Sequence, residues 1–372
     1  MLVRKMEIGG SERQTLELAK GLPVDRFDAT ILTFYPGGEF LKEAEEAGVK
    51  VVSLDKKGRW DLMLFFIRLV RELRHLKSDI LYTVDGPPGI LGLAARPFVR
   101  GLKVVWGIRA SNMDLTRFDY SRQMVFRALK RLSGRVDLVI ANSEFGRAYV
   151  VKSGFSAKNI SVVHNGIDID YFAPNSDDRT ALRHSWGVAS EVEALIGIVA
   201  RLDPMKDHDT FLRAAAYFLE RGGQARFVCV GDGPEKSRLQ ALANDLGLGG
   251  KVIWAGTRRD MPSVFAALDI NTLTSVTEGF PNTLGEAMAC ATPCISTDVG
   301  DAASIMGELG QVVLVGNFEA IANAWAELVA KKPDERHQLG QLCRSRVQEH
   351  FSVQAMVDAS IACYEPLMID RL

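Results

Sequence analysis

The sequence predicts an α/β protein of two doubly wound, Rossmann-like domains, and three observations carry that expectation. Strand-like runs alternate with helical stretches along most of the chain. The alternation restarts near residue 194, and 372 residues exceed what one ordinary hydrophobic core accommodates. Strands separated by helices imply parallel pairing through right-handed crossovers.

In the first half the expected strands are 28–34, 49–54, 79–84, 103–109, 137–142 and 160–164. The polar run 174–178, Pro-Asn-Ser-Asp-Asp, is the expected linker. A second series begins with 194–200, 225–230 and 251–255 and continues through 315, followed by helices over 318–331, 334–349 and 353–369. The expected domains are therefore 1–175 and 190–350, with 351–372 a terminal helix. Only eight residues precede the glycine turn at Gly9, and Arg4 and Lys5 are already polar. The first strand is thus very short, or residues upstream are missing, at a cost in stability.

Composition excludes several classes. Hydrophobic residues make up 47% and charged residues 24%, as in a globular protein, and no run approaches the ~20 apolar residues of a membrane span. The amino terminus lacks a signal peptide's apolar core. Five cysteines, an odd number, point to a reducing, cytoplasmic compartment, and Cys290 and Cys294 read as small core residues rather than metal ligands. Residues 1–180 hold 28 Lys and Arg against 22 Asp and Glu, net +6, which leaves the remainder at net −7. The slightly acidic total, without an aromatic-interleaved basic strip, disfavours nucleic acid.

The densest chemical signal is 278–288, Glu-Gly-Phe-Pro-Asn-Thr-Leu-Gly-Glu-Ala-Met. Gly279, Pro281 and Asn282 are turn and capping residues, so a helix is expected over 283–291. Its first turn presents N–H groups at the positive end of the helix dipole, which suits a diphosphate. Glu278 precedes the helix and Glu286 lies one turn into it, so the two carboxylates can flank an anion and accept from sugar and ribose hydroxyls. A helix cap followed by a solvated glutamate would leave the same pattern.

Three further turns belong to the same edge. The strand 194–200 runs into Arg201-Leu202-Asp203-Pro204-Met205-Lys206, where a guanidinium fork and a mobile ammonium suit the charges of a pyrophosphate, or are simply solvated in a loop. Gly231-Asp232-Gly233-Pro234 permits close backbone approach, and Gly256-Thr257-Arg258-Arg259 ends the next strand. Ligands of open parallel sheets bind beyond the carboxyl ends of the strands, so these turns converge with the two-glutamate loop.

The order Ala-Arg-Leu…Lys (200–206), Gly-Asp-Gly-Pro (231–234) and Glu-Gly-Phe-Pro-Asn…Glu (278–286), preceded by His-Asn-Gly-Ile-Asp (164–168), resembles the retaining glycosyltransferases of family 4 over nearly the whole chain. The resemblance implies a GT-B fold, two Rossmann-like domains facing a central cleft, the first binding acceptor and the second nucleotide sugar, with the terminal helix 351–372 crossing back to the first domain. It implies that Arg201 and Lys206 hold the donor diphosphate, Glu278 a donor-sugar hydroxyl and Glu286 the ribose. The amides around Phe280, Pro281, Asn282 and Thr283 would meet phosphate and sugar, and turns bearing Gly231, Gly233, Thr257 and Arg258 would frame the base. Asn165 belongs to a turn near the cleft. Gly10, in the turn that opens the first helix, would let an acceptor approach the donor phosphate. The expected reaction moves a hexosyl group from a nucleoside-diphosphate sugar, a UDP-sugar, to a saccharide or lipid-linked acceptor in surface polysaccharide synthesis, without a metal or cofactor.

Besides the short first strand, a second departure qualifies the resemblance. Many members carry a histidine after the fourth strand of the first domain; here the segment reads Val-Trp-Gly-Ile-Arg-Ala-Ser-Asn (105–112), and Arg109 is the expected polar replacement, with Ser111 and Asn112 nearby. Arg109 could equally pair with Asp114 or Asp119. Asp168-Ile169-Asp170 has metal-ligand spacing but belongs to a turn. Basic amphipathic stretches at 60–77 and 122–132 suit an anionic membrane surface on the inner face, or ordinary helices with solvated basic faces. An epimerase on the same fold, or a noncatalytic nucleotide-sugar sensor, remains the alternative; a nicotinamide dehydrogenase lacks its glycine fingerprint.

Overall fold

The computed structural model describes residues 1–7, 9–58, 61–84, 86–109, 120–188 and 194–369. Ser111, Asn112, Asp114, Asp119 and Trp60 lie outside them. The chain divides into two compact units, Met1–Gly166 with Val353–Leu372, and Ile167–Ser352.

In the first unit β1 (Leu2–Val3), β2 (Thr30–Thr33), β3 (Lys50–Ser53), β4 (Ile80–Val84), β5 (Lys103–Ile108), β6 (Leu138–Ala141) and β7 (Ile160–Val162) alternate with α1 (Gly10–Gly21), α2 (Leu41–Glu46), α3 (Leu62–His75), α4 (Pro87–Ala95), α5 (Tyr120–Leu132) and α6 (Glu144–Lys152). All seven strands are parallel, in the order β3-β2-β1-β4-β5-β6-β7. The inner strands β1, β2, β4, β5 and β6 are buried and largely apolar, which is why period-2 alternation is absent, whereas the edge strands β3 and β7 are only partly covered. β1 is only two residues long yet central, with Leu2 opposite both Leu32 and Thr83. The terminal α15 (Val353–Ile369) packs on α1 in this unit, where Met356, Val357 and Tyr364 join the core of Leu16, Leu18 and Val105.

The second unit holds α7 (Ser176–Ser185), β8 (Ala194–Val199), α8 (His208–Glu220), β9 (Ala225–Val230), α9 (Lys236–Asp245), β10 (Val252–Gly256), α10 (Met261–Ala267) and β11 (Ile270–Leu273). It continues with α11 (Asn282–Ala289), β12 (Cys294–Thr297), α12 (Ala302–Met306), β13 (Gln311–Val313), α13 (Phe318–Ala330) and α14 (Pro333–His350). The sheet order is β10-β9-β8-β11-β12-β13, again parallel, so strand order reverses between β8 and β11. That reversal is the position at which doubly wound sheets open a crevice for a ligand. Behind it Phe211, Phe218 and Phe227 surround Trp325, whose indole N–H donates to Thr272 Oγ1 at 2.9 Å, a satisfied polar group inside an aromatic core.

The boundary between units falls at Gly166/Ile167 rather than near residue 175. Ile167 N donates to Phe351 O at 2.8 Å and bridges Ser352, so both passages of the chain are tied together. The expected linker 174–178 is instead a helix start. Asn175 caps α7, its side-chain oxygen accepting from Asp177 N and Asp178 N at 3.0 Å each, and α7 packs on α10. The sequence cluster was a cap, a role with the same residue preferences as a loop. Arg179 and Arg183 of this helix reach Asp269, at 2.7 and 2.9 Å, and Asp269 also accepts from Leu195 N at 2.7 Å. Burial pushes the Asp269 carboxyl up, but the two guanidinium groups outweigh it and hold it below its usual range.

Candidate functional site

In the second unit, the loops leaving β8 and β11 are laced together at the strand-order reversal. Val276 N donates to Met205 O at 2.9 Å, and Thr274 Oγ1 donates to the carbonyls of Lys206 and Asp207 at 2.8 and 2.9 Å. Thr297, from β12, donates to Ser275 O at 2.7 Å. This backbone scaffold brings Lys206 Nζ to 2.5 Å from Glu278 Oε1, which also accepts from Ser275 Oγ at 2.7 Å. A cation and an acid 72 positions apart thus form one partly buried pair, whose attraction is less screened than a surface pair's.

The neighbouring turns close on the same loop. Leu202 N donates to Asp232 O and Glu235 N to Leu202 O, both at 3.1 Å, while Gly231 N donates to Gly256 O at 2.8 Å. Gly231 has φ +138, and a Cβ there would lie 2.1 Å from Ala200 O. On the other side Asp301 N donates to Gly279 O at 2.9 Å, and Gly300, at φ +54, leaves only 2.2 Å between an added Cβ and the same carbonyl. Only glycine fits either approach, because both a left-handed backbone and a backbone wall exclude a side chain. The carboxyl ends of β8, β9, β10, β11 and β12 are thereby joined in one hydrogen-bonded rim.

The expected residues occupy this rim in different ways. Arg201 is 70% exposed, with Asp203 at 3.9 Å, so its fork faces solvent at the edge of the loop. Asp203 and Asp207 fix the loop's shape, accepting from Met205 N and from Thr210. Asn282 begins α11, one residue earlier than expected, and its N-cap residue, Pro281, offers no side-chain cap. Asn282 and Thr283 are partly exposed, as is Glu286 on the second turn, whereas the Phe280 ring is buried against Phe351. A role for Phe280 toward a ligand therefore falls to its backbone. Gly233 backs onto Leu202 O, and Thr257 is exposed. The Arg258 guanidinium is engaged by Asp260 on its own turn, which holds that carboxyl below its usual range. Cys290 and Cys294 are buried core, and burial raises the Cys290 thiol to about 12. Asp168 Oδ1 accepts from Asp170 N and Tyr171 N, closing a local turn.

A second set of expected residues sits in the first unit. Arg109, at the carboxyl end of β5, donates to Asn165 Oδ1 at 2.7 Å. The adjacent Gly166 exchanges two bonds with the buried Gln14 amide, N to Oε1 at 2.7 Å and Nε2 to O at 2.8 Å. Arg109, Asn165, Gly166 and Gln14 thus form one locked cluster, and Gly10 opens α1, the helix that carries Gln14. A depression lined by Arg4, Lys5, Glu7, Glu12 and Tyr35 adjoins the carboxyl end of β1, beside this unit's own strand-order reversal. A cavity of about 190 Å³ lined by Met1, Thr30, Asp79 and Tyr364 lies at the opposite strand ends, away from the edge where such sheets bind ligands.

Sequence reasoning missed Thr274, Ser275, Thr297, Gly300 and Gln14. Thr274 and Ser275 follow β11 directly, and a small polar pair at a strand's carboxyl end was the available signal. Gln14 is a polar residue on the buried face of an amphipathic helix, equally readable as an interruption.

His208, the first residue of α8 beneath the Lys206 loop, is 1% exposed, and neither ring nitrogen has a hydrogen-bond partner among the described residues. Burial lowers its pKa to about 4, against the opposing pull of Asp203 and Asp209. The folded protein keeps the ring neutral while the unfolded chain titrates near 6.5, so this group's contribution is complete above about pH 6.5 and is lost as pH falls toward 4. The loss is about 3 kcal/mol. Urea unfolding across this window should therefore be less acid-sensitive in His208→Leu than in the parent; parallel profiles would exclude the assignment.

Residues 193–331 match the family described as glycosyl transferases group 1, and residues 8–171 match glycosyltransferase family 4. The chain is 24% identical, over 98% of its length and 95% of the relative's, to the UDP-Gal:alpha-D-GlcNAc-diphosphoundecaprenol alpha-1,3-galactosyltransferase of Escherichia coli. It is 34% identical to the D-inositol 3-phosphate glycosyltransferase of Mycobacteroides abscessus, over 46% of this chain and 40% of that one. Among solved structures, Anabaena HepE in complex with UDP superposes with a TM-score of 0.85 at 23% identity, covering 98% of each chain.

Proposed function

Since the chain belongs to glycosyltransferase family 4 and has the GT-B fold, an enzyme acting on a nucleotide sugar, we propose that it transfers a hexosyl group from a UDP-sugar, with retention, to a saccharide or lipid-linked acceptor in surface polysaccharide synthesis. The observation that carries the donor site is the convergence of Arg201, Lys206, Glu278 and the start of α11 at the strand-order reversal of one sheet. The relative from Escherichia coli is named for UDP-Gal and a diphosphoundecaprenol acceptor, and HepE was solved with UDP, which supports a uridine donor and a lipid-linked acceptor here.

In this reading the diphosphate lies against Arg201, Lys206 and the first amides of α11. Negative charge grows on it as the glycosidic bond breaks, and preorganised donors stabilise that charge without reorganising. Protein cations and amides, rather than a metal ion, meet this charge. Lys206 and Ser275 both bind Glu278 Oε1, and the other oxygen, Oε2, is assigned to a hydroxyl of the transferred sugar. Glu286 takes the ribose, and the turns at Gly231, Gly233, Thr257 and Arg258 border the base. The acceptor hydroxyl attacks from the face the diphosphate leaves, and a phosphate oxygen accepts its proton, so the anomeric configuration is kept. Arg109, held by Asn165, is assigned to the donor sugar or leaving phosphate.

A thermal-shift panel of nucleoside diphosphates and their sugars tests the donor. UDP should raise the melting temperature more than GDP or ADP, and Arg201→Ala or Lys206→Ala should weaken UDP binding about ten- to a hundredfold, the equivalent of one charge-assisted hydrogen bond. Undiminished UDP binding in both variants would remove these residues from the site. A donor-only assay separates transfer from epimerisation, because an epimerase consumes donor without acceptor.

A further inference from the structure

From the distribution of exposed apolar and basic side chains, we infer that the first turns of α3, with the Phe98 loop beside them, form a docking surface for an anionic lipid bilayer. Leu62, Met63, Leu64 and Ile67 stand 53–74% exposed within two turns, and Phe98 is 52% exposed. The elements are joined: the Phe66 and Phe98 rings meet edge to face at 5.8 Å, and Arg74 Nε donates to Phe98 O at 2.7 Å. The opposite face of α3 is ordinary core, with Phe65, Leu69 and Leu73 buried, so these apolar side chains are surplus to packing the helix. α5, two helices along the same layer, adds exposed Tyr120 and Met124 in its first turns. Seven of the sixteen exposed large apolar side chains among the described residues therefore lie on this layer, a concentration that scattered surface residues do not produce.

Charge selects the occupant. Residues 62–77 carry four Lys and Arg against one Glu, and residues 120–132 carry four and no acid. Arg71, Arg127, Lys130 and Arg131 are exposed beside the apolar turns. Apolar residues that enter the acyl boundary, with cations behind them at headgroup level, fit an anionic membrane better than a neutral protein surface. Among the described residues no helix is long and apolar enough to cross a membrane, so the contact is peripheral. Both helices start at the carboxyl edge of their sheet, the edge where such domains read ligands. The inference rests on the proposed function only in giving a lipid-linked acceptor a reason to be near.

The test is co-sedimentation of the full chain with vesicles of mixed phosphatidylglycerol and phosphatidylcholine, against vesicles of phosphatidylcholine alone. Binding should require the anionic lipid and weaken with salt. The exposed triple substitution Met63→Gln, Leu64→Gln, Ile67→Gln should lower it at least about tenfold with an unchanged melting temperature. Arg71→Glu with Arg127→Glu should reduce it independently. Equal binding by the triple variant overturns the inference, as does a parent chain that fails to sediment with anionic vesicles. A concentration-dependent dimer abolished by the same three substitutions would assign the face to a second copy instead. A chain that binds vesicles yet transfers no sugar would upset the proposed function and leave this surface standing.

Discussion

Glu278→Gln should lower kcat by about a hundred- to a thousandfold while leaving donor affinity nearly unchanged, the loss expected when one preorganised polar group is removed from a charge-developing transition state. Glutamine keeps the shape and can still accept from Ser275, so the 275–278 turn should persist. What disappears is the carboxylate proposed to meet the sugar, which is also the negative partner of Lys206. The ammonium, released from its acid, gains attraction for a diphosphate, which offsets any lost contact in the ground state. KM for the donor should therefore stay level or fall as kcat collapses. A variant turning over at near the parent rate would move the catalytic carboxylate elsewhere.

The second large effect concerns stability. Asp269→Ala should cost about 3–5 kcal/mol in a urea unfolding experiment, because it removes the carboxylate that Arg179, Arg183 and Leu195 N all share in a largely buried charge network. The Arg183 side chain is only 3% exposed, and Asp269 is its ion-pair partner at 2.9 Å. Leu195 N would also lose its acceptor at the start of β8, the strand that delivers Arg201 and Lys206. The damage should therefore extend to the site: donor affinity should fall with stability in this variant, unlike in Glu278→Gln. A loss below about 1 kcal/mol would mean that water replaces the carboxylate easily, contrary to its burial.

Much of the fold was legible because parallel, doubly buried strands write themselves as short apolar runs ending in glycine or charge. The runs leading to Arg201, Gly231, Gly256 and Asn282 all end on one edge, and that followed from topology alone. The extent of the second unit was misjudged at 174–178, since Asn and Asp serve helix caps and loops alike. The sequence assigned Lys206 to phosphate and Glu278 to sugar but did not reveal that they pair directly. That pairing depends on where β8 and β11 lie relative to each other, a long-range fact that no local spacing encodes. The same holds for Gly300, whose need for glycine comes from the Gly279 carbonyl of another loop.

The most direct test is a crystal structure with UDP bound. The diphosphate should lie within hydrogen-bonding distance of Arg201, Lys206 and the first amides of α11, with the ribose at Glu286. A uridine diphosphate bound elsewhere on the chain, with the Lys206–Glu278 rim untouched, would contradict the account.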